Sequence, residues 1–214
     1  MSVKIDILTL FPDMFASPFD ASIIKRATSR ELIKIEVHDL RKWGEGTRKN
    51  VDDRPYGGGV GMILRVDIID AALKDLRTKN SKVILFDAAG TRYTQGKAQE
   101  FSKAEHLILI AGHYEGVDHR VQEKLVDEIV SIGDYVLTGG EMPAMVLVDS
   151  VIRLIPGVLG KDESSLDESH KVPGYLEYPQ YTRPEDYKGW KVPKILLGGN
   201  HAEIAKWREE KSGH

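Results

Sequence analysis

The chain has 214 residues, enough to bury a sizeable core without disulfide or metal staples. It contains no cysteine, which excludes a disulfide scaffold, a thiol nucleophile and Cys-ligated zinc or iron–sulfur centres, and which fits a reducing cytoplasm. With 30 basic against 33 acidic residues the net charge is −3, so no bulk positive field marks a nucleic-acid binder, and any RNA partner would have to be held by local patches.

The opening stretch MSVKIDILTLFPDMF lacks the charged-then-apolar pattern of a leader, and no apolar run approaches the roughly 18 residues of a membrane span. Val3–Leu10 alternates apolar and polar residues and predicts a strand. Phe11-Pro12-Asp13 stops it, and a helical pattern follows to about Arg30. Ile33–Val37 predicts a second strand. Arg41–Met62 lacks periodicity and predicts a long loop, a feature that in compact domains is usually functional or disordered. Val66–Arg77 has helical spacing. Lys82–Phe86 predicts a strand ending at Asp87-Ala88-Ala89-Gly90, and Thr94 is placed to cap a helix to about Lys103. Leu107–Ala111 is a further strand, Val117–Leu125 a helix, Glu128–Ile132 a strand and Glu141–Ile155 a strongly apolar helix. Strands alternating with helices predict an α/β fold with a mainly parallel sheet. Residues 157–193 change character, being rich in charge, Pro and Tyr with little periodicity. Asn200 then caps a helix over His201–Glu210.

Three successive strands end in glycine-containing turns: Asp87–Gly90, Gly112–Gly116 and Gly133–Gly140. Open α/β sheets bind ligands at the carboxyl ends of their strands, and glycine there lets backbone approach a ligand. Each turn alone is an ordinary strand ending; three in succession predict one pocket built from backbone amides and carbonyls. Gly57–Gly61 is neither a P-loop nor a dinucleotide fingerprint, because no Gly-Lys-Ser/Thr follows and Met62 stands where the third glycine would be. The seven histidines have no metal-ligand spacing; His113 and His119 lie in and beside one glycine turn without a third ligand nearby, so no metal site is assigned. No nucleophile elbow occurs. Arg153 stands near the end of the apolar helix, where it is either a favourable cation at a helix C-terminus or a functional one. Asp162, Glu163, Asp167 and Glu168 cluster in the following segment, as a solvated acidic loop or as a source of a catalytic carboxylate. Arg41, Lys42, Arg48, Lys49 and Arg54 outnumber Glu45, Asp52 and Asp53 in their loop, a candidate phosphate contact.

The stretches LTLFPDMF (8–15), VDDRPYGGGVGM (51–62), AGHYEGVDHRV (111–121), SIGDYVLTGGEMPAM (131–145), IPGVLG (155–160), EYPQYTRPE (177–185) and LLGGNHAEIAKWR (196–208) run through nearly the whole chain. Together they resemble the bacterial tRNA (guanine-N1)-methyltransferases of the SPOUT superfamily. The resemblance implies a C-terminal trefoil knot in a catalytic domain over 1–158, a flexible linker over 159–176, and a partial helical tRNA-binding region over 177–214, shorter than is usual in that family. It implies S-adenosyl-L-methionine as methyl donor, held by Leu85, Phe86, Asp87, Ala88, Gly112, Tyr114, Glu115, Gly116, Ile132, Gly133, Tyr135, Leu137, Gly139, Gly140 and Pro143. Mg2+ is allowed for without an assigned protein site.

By the same resemblance the acceptor is N1 of guanosine 37 of tRNA, beside the anticodon, a modification that supports reading-frame maintenance. Arg153 would stabilise O6 and Glu168 would be the base, with Asp167 the alternative and Glu115 also among the catalytic residues. Glu177, Arg54, Gly58 and Gly59 would contact the RNA. The family implies a cytoplasmic homodimer with active sites shared between protomers. The alternatives are a SPOUT methyltransferase with another RNA target, such as a ribose hydroxyl, and a non-catalytic RNA- or donor-binding module.

Overall fold

A computed structural model describes residues 3–159 and 168–213. The chain divides into two compact units, Met1–Lys161 and Asp162–His214.

The first unit is built on five parallel strands in the order β2-β1-β6-β5-β7. They are β1 (Val3–Thr9), β2 (Ile33–Asp39), β5 (Ser81–Arg92), β6 (His106–Ile110) and β7 (Glu128–Ser131). The central strands are apolar on both faces, as a parallel sheet covered by helices requires. One face carries Ile5, Ile7, Ile84, Phe86, Leu107, Leu109 and Val130. It packs against α2 (Ser22–Ser29), α4 (Gln95–Phe101) and α6 (Glu141–Ile152) through Ile24, Phe101, Leu147 and Val151. The other face carries Leu8, Val83, Leu85, Ile108 and Ile110. It packs against α3 (Val66–Leu76) and α5 (His119–Lys124) through Ile69, Leu73 and Val121. Cβ atoms alternate across a strand, so consecutive apolar residues feed both layers.

Three expectations need correction. The helical pattern through Arg30 is broken into a 3-10 turn (Pro12–Phe15), the short α1 (Ala16–Phe19) and α2. Pro12 and Pro18 lack the N–H that a continuous helix would use. The stretch 41–62 is not wholly irregular: a 3-10 turn covers Leu40–Trp43, and β3 (Asp52–Asp53) pairs antiparallel with β4 (Ile63–Leu64). Buried Leu40, Val51 and Leu64 anchor it. Third, β5 does not end at Phe86. Phe86 and Thr91 both pair with Val130, so Asp87–Gly90 bulges out between two paired segments. A Cβ on Gly90 would stand 2.7 Å from the Val130 nitrogen, so only glycine lets the strand close again.

A polar ladder crosses the far ends of the strands. Asp6 is wholly buried, and its carboxylate meets Nε2 of His38 at 2.8 Å, Nε2 of His106 at 2.7 Å and the Lys4 ammonium at 2.8 Å. His106 Nδ1 reaches the Ser81 hydroxyl at 2.7 Å. Burial pushes the Asp6 carboxyl up, but hydrogen bonds from His38, Lys4 and His106 outweigh it and hold it below its ordinary value. Asp6, Glu36 and His38 also bring ligand-type atoms within 4.8 Å of one another, but Lys4 supplies the cation there, lying 3.1 Å from Glu36.

The second unit contains a two-stranded hairpin, β8 (Asp186–Tyr187) with β9 (Trp190–Lys191). Its turn residues Lys188 and Gly189 both take positive φ, 56° and 88°, which suits the twist of a two-residue hairpin. A 3-10 turn (Lys194–Leu197) precedes α7 (His201–Lys211), whose cap is the Asn200 side chain accepting from the Glu203 amide. Leu176 and Gly213 exchange two backbone hydrogen bonds of 3.0 Å. No described residue of this unit is fully buried, and α7 is mostly polar, with Ile204 and Trp207 half-buried and Trp207 against the Tyr181 ring. Among the described residues no helix is long and apolar enough to cross a membrane.

Candidate functional site

The bulge within β5 and the turns after β6 and β7 meet at the carboxyl side of the sheet and border a cleft of about 240 Å³. Each wall has a local cause. Asp87 holds the bulge by accepting from the Ala89 amide at 2.8 Å and from the Gln122 side chain at 3.0 Å. The second turn reverses through Tyr114 and Gly116, at φ 61° and 124°. It is stitched to the glycine-rich loop by Glu115 N–H to Met62 O at 3.1 Å and Leu64 N–H to Gly116 O at 3.0 Å. Asp118 then caps α5 by accepting from the Arg120 amide, and the Arg120 guanidinium holds its carboxyl below the ordinary value. In the third turn the buried Ser131 hydroxyl donates to Gly133 O at 3.1 Å, and the Tyr135 hydroxyl donates to Ile132 O at 3.3 Å.

Two glycines set the depth of the cleft. The Gly140 amide donates to Gly112 O at 2.8 Å, and a Cβ on Gly140 would lie 2.6 Å from the Ala111 Cα. The same atom on Gly139 would overlap the Glu141 carboxylate and lie 2.6 Å from His113 Nδ1. Glu141 is 2% exposed, and its Oε1 accepts from the Thr9 hydroxyl at 2.8 Å. Its Oε2 stands 3.6 Å from His113 Nδ1, a buried nitrogen with no hydrogen-bond partner among the described residues. The His113 ring is packed between Phe11, at 4.6 Å centroid to centroid, and Tyr114, at 5.2 Å.

Of the fifteen residues predicted to hold a donor, fourteen line this cleft. Leu85 does not: it is 1% exposed and faces the α3 and α5 layer, because it alternates with Phe86 along β5. His113, Val117, Val130, Ser131, Val136 and Thr138 also line the cleft and were not predicted. His113 and Val117 lie inside or just past one of the glycine turns; their place in that turn was the available signal.

The other predicted residues lie elsewhere. Arg153 follows the last turn of α6 at its C-cap and does not line the cleft. Arg54 lines a separate groove with Tyr56, Arg65, His119 and Arg120. In that groove Arg65 is paired with Asp67 at 2.5 Å and with Glu45 at 2.8 Å, and Arg120 with Asp118 at 2.7 Å. Gly58 and Gly59 both take positive φ in the neighbouring loop, where the Tyr56 side chain is fully exposed. Glu168 begins a turn in the second unit, its carbonyl accepting from the Lys171 amide at 3.3 Å. Glu177 donates its amide to the Ser169 hydroxyl at 2.9 Å and takes a hydrogen bond from Gln180. Asp162, Glu163 and Asp167 lie outside the described residues.

An open parallel sheet flanked by helices, with a glycine-walled cleft at the carboxyl side of its strands, defines an α/β protein with its cleft where open sheets of this kind hold ligands. Residues 3–214 match the family model described as tRNA (Guanine-1)-methyltransferase TrmD. Similar proteins include the tRNA (guanine-N(1)-)-methyltransferase of Bacillus pumilus, 52% identical over 98% of this chain and 87% of the relative. That of Listeria innocua is 53% identical with the same coverage, and that of Dictyoglomus turgidum 52% identical over 98% of this chain and 85% of the relative. The chain belongs to the tRNA (guanine-1)-methyltransferase TrmD family.

Proposed function

We propose that this protein transfers a methyl group from S-adenosyl-L-methionine to N1 of guanosine 37 in tRNA. The observation that carries the reading is the cleft itself: fourteen residues that the family resemblance assigns to donor binding, drawn from three separate turns, line one cavity. The cavity fits such a ligand chemically. Part of its wall is glycine backbone, at Gly139 and Gly140, where a Cβ would strike Glu141 and His113 behind the wall or the end of β6. A donor bound there supplies an electrophilic methyl on a sulfonium.

Guanine N1 carries a proton, so that proton must leave as the methyl arrives, and negative charge develops on O6. Arg153 is assigned to stabilise O6, a role in which a positioned donor contributes about 10²–10³ in rate. Glu168 is assigned as the base that takes the N1 proton, with Asp167 the alternative. Glu115 joins the donor turn to the glycine-rich loop, and Arg54, Gly58, Gly59 and Glu177 are assigned to RNA contacts. The second unit, with no described residue fully buried and a mostly polar α7, is suited to grip RNA rather than to form a core of its own.

We further infer a homodimer. Met142 and Val146, one helical turn apart on α6, are 54% and 45% exposed, and Phe11 and Met14 are also exposed. Exposed apolar groups of this kind mark a protein interface. The trefoil knot belongs to the same reading; the close approach of Gly140 to Ala111 and Gly112 supports it, because it lays the start of α6 against the end of β6.

The test is methyl transfer from labelled S-adenosyl-L-methionine to a tRNA transcript carrying guanosine at positions 36 and 37, with the product mapped by nuclease digestion and mass spectrometry. N1-methylguanosine at position 37 is expected. Methylation of a ribose, or donor binding with no product on any tRNA, would overturn the reading.

A further inference from the structure

Glu141 is the one fully buried carboxylate beside the cleft, and it does not line it. It sits one layer behind the wall formed by Gly139 and His113, both of which do. Its only hydrogen bond from a described side chain comes from the Thr9 hydroxyl. Thr9 in turn accepts from the Phe11 amide at 2.9 Å, so the hydroxyl is fixed toward Glu141. The other carboxylate oxygen faces a histidine nitrogen 3.6 Å away, beyond hydrogen-bond distance. Burying a carboxylate with so little compensation is costly, although the first turn of α6 favours an acidic group. A glutamine would keep the Thr9 bond without that cost. The packing therefore does not explain the charge.

We propose that the Glu141 carboxylate gives the cleft its preference for a cationic donor over the neutral product left after transfer. The inference rests on the donor reading above. A sulfonium carries a positive charge, whereas the thioether formed when the methyl leaves carries none. A negative charge buried behind a wall that includes glycine acts across a low-dielectric layer, where charge–charge interactions are strong and poorly screened. It attracts the sulfonium and does nothing for the thioether. Loss of the methyl thus removes the attraction, which favours exchange of product for fresh donor. Glu115 also lines the cleft but is exposed, so solvent screens it; Asp87 is tied into the bulge by the Ala89 amide and Gln122. Glu141 acts through its field and touches no reacting atom, so it is a positioning residue.

The experiment is calorimetric titration of wild type, Glu141→Gln and Glu141→Met with S-adenosyl-L-methionine and, separately, with S-adenosyl-L-homocysteine. In Glu141→Gln the preference for the methylated donor should fall about tenfold, equivalent to ~1.4 kcal/mol, with product affinity changed less than about twofold. Glu141→Met removes the charge behind the wall without adding an amide to satisfy and should give the same loss. Parallel changes for both ligands, or no change, would overturn the inference and leave the donor reading standing. Wild-type protein that binds neither ligand would overturn the donor reading itself. If Glu141→Gln does not fold, Glu141→Met decides the question alone.

Discussion

Asp6 and His106 meet at 2.7 Å although 100 residues separate them, and the contact joins β1 to β6 inside the sheet. Removing one partner of a buried charged cluster typically costs about 3–5 kcal/mol. Asp6→Ala should therefore lower unfolding free energy by roughly 3 kcal/mol while leaving donor affinity within about twofold, since the cluster lies away from the cleft. Urea unfolding followed by circular dichroism, with donor calorimetry alongside, reads both. A fall in donor affinity larger than the fall in folded fraction would refute the separation.

The same carboxyl predicts a pH dependence. Its folded pKa lies below the ordinary 3.8 despite burial, so the folded state binds the proton less readily than the unfolded state. Its contribution to stability is present above the unfolded value and is lost as pH falls through the folded one. Between pH 5 and pH 2 wild type should lose stability more steeply than Asp6→Asn. Equal slopes over that range would show that Asp6 is not the group responsible.

Gly140→Ala should cost the protein its donor site. The added Cβ would meet the backbone at the end of β6, 2.6 Å from Ala111 Cα and 2.9 Å from the Gly112 nitrogen, and backbone in a strand end cannot swing away. Overpacking of this kind costs about 1–3 kcal/mol, and the displaced turn lines the cleft. A lowered melting temperature with donor affinity reduced at least tenfold is expected. Unchanged calorimetry would mean that the turn relaxes freely.

Arg153→Ala should reduce turnover by about 10²–10³ with donor affinity nearly unchanged. Glu168→Gln should reduce it by about 10²–10⁴, the range for a lost general base. If Asp167→Asn is the inactive variant instead, the base stands one residue earlier. Single-turnover rates with saturating donor separate these outcomes from weaker binding.

Val146→Glu places a charge on the exposed apolar face of α6. It should shift sedimentation from dimer to monomer without lowering the melting temperature of the unit by more than a few degrees. A dimer that survives both Val146→Glu and Met142→Glu would place the interface elsewhere.

Much of this architecture was readable from local pattern. Alternation of short apolar runs with helical spacing specified the parallel sheet, and Thr94 and Asn200 do cap helices. The three glycine turns announced the cleft. What local pattern could not supply was set by distant partners. β5 resumes after Asp87–Gly90 because β7 offers Val130 a second time, and nothing in residues 81–92 alone encodes that. Thr9 and Glu141 lie 132 residues apart, so neither marks the other in sequence. The helical spacing between Asp13 and Arg30 was real, but Pro18 interrupts it, and the prolines should have outweighed the pattern. Leu85 was assigned by position along a matching segment, where the alternation of the strand would have pointed it into the core.

The central place of β1 has a further consequence, for the order in which the molecule can assemble. Once synthesised, β1 finds β2 within 40 residues, but its other neighbour is β6, which begins at His106. At synthesis rates of about 5–20 residues per second, β1 waits on the order of 4–20 seconds with one edge unpaired. Its Thr9 hydroxyl waits longer still, for Glu141. The donor cleft needs residues through Pro143 and so forms after all five strands have been made, and the nascent chain carries an open apolar strand edge from Thr9 until β6 is added. That edge is where a chaperone would act, and a slowed ribosome downstream of codon 40 would lengthen the period of risk.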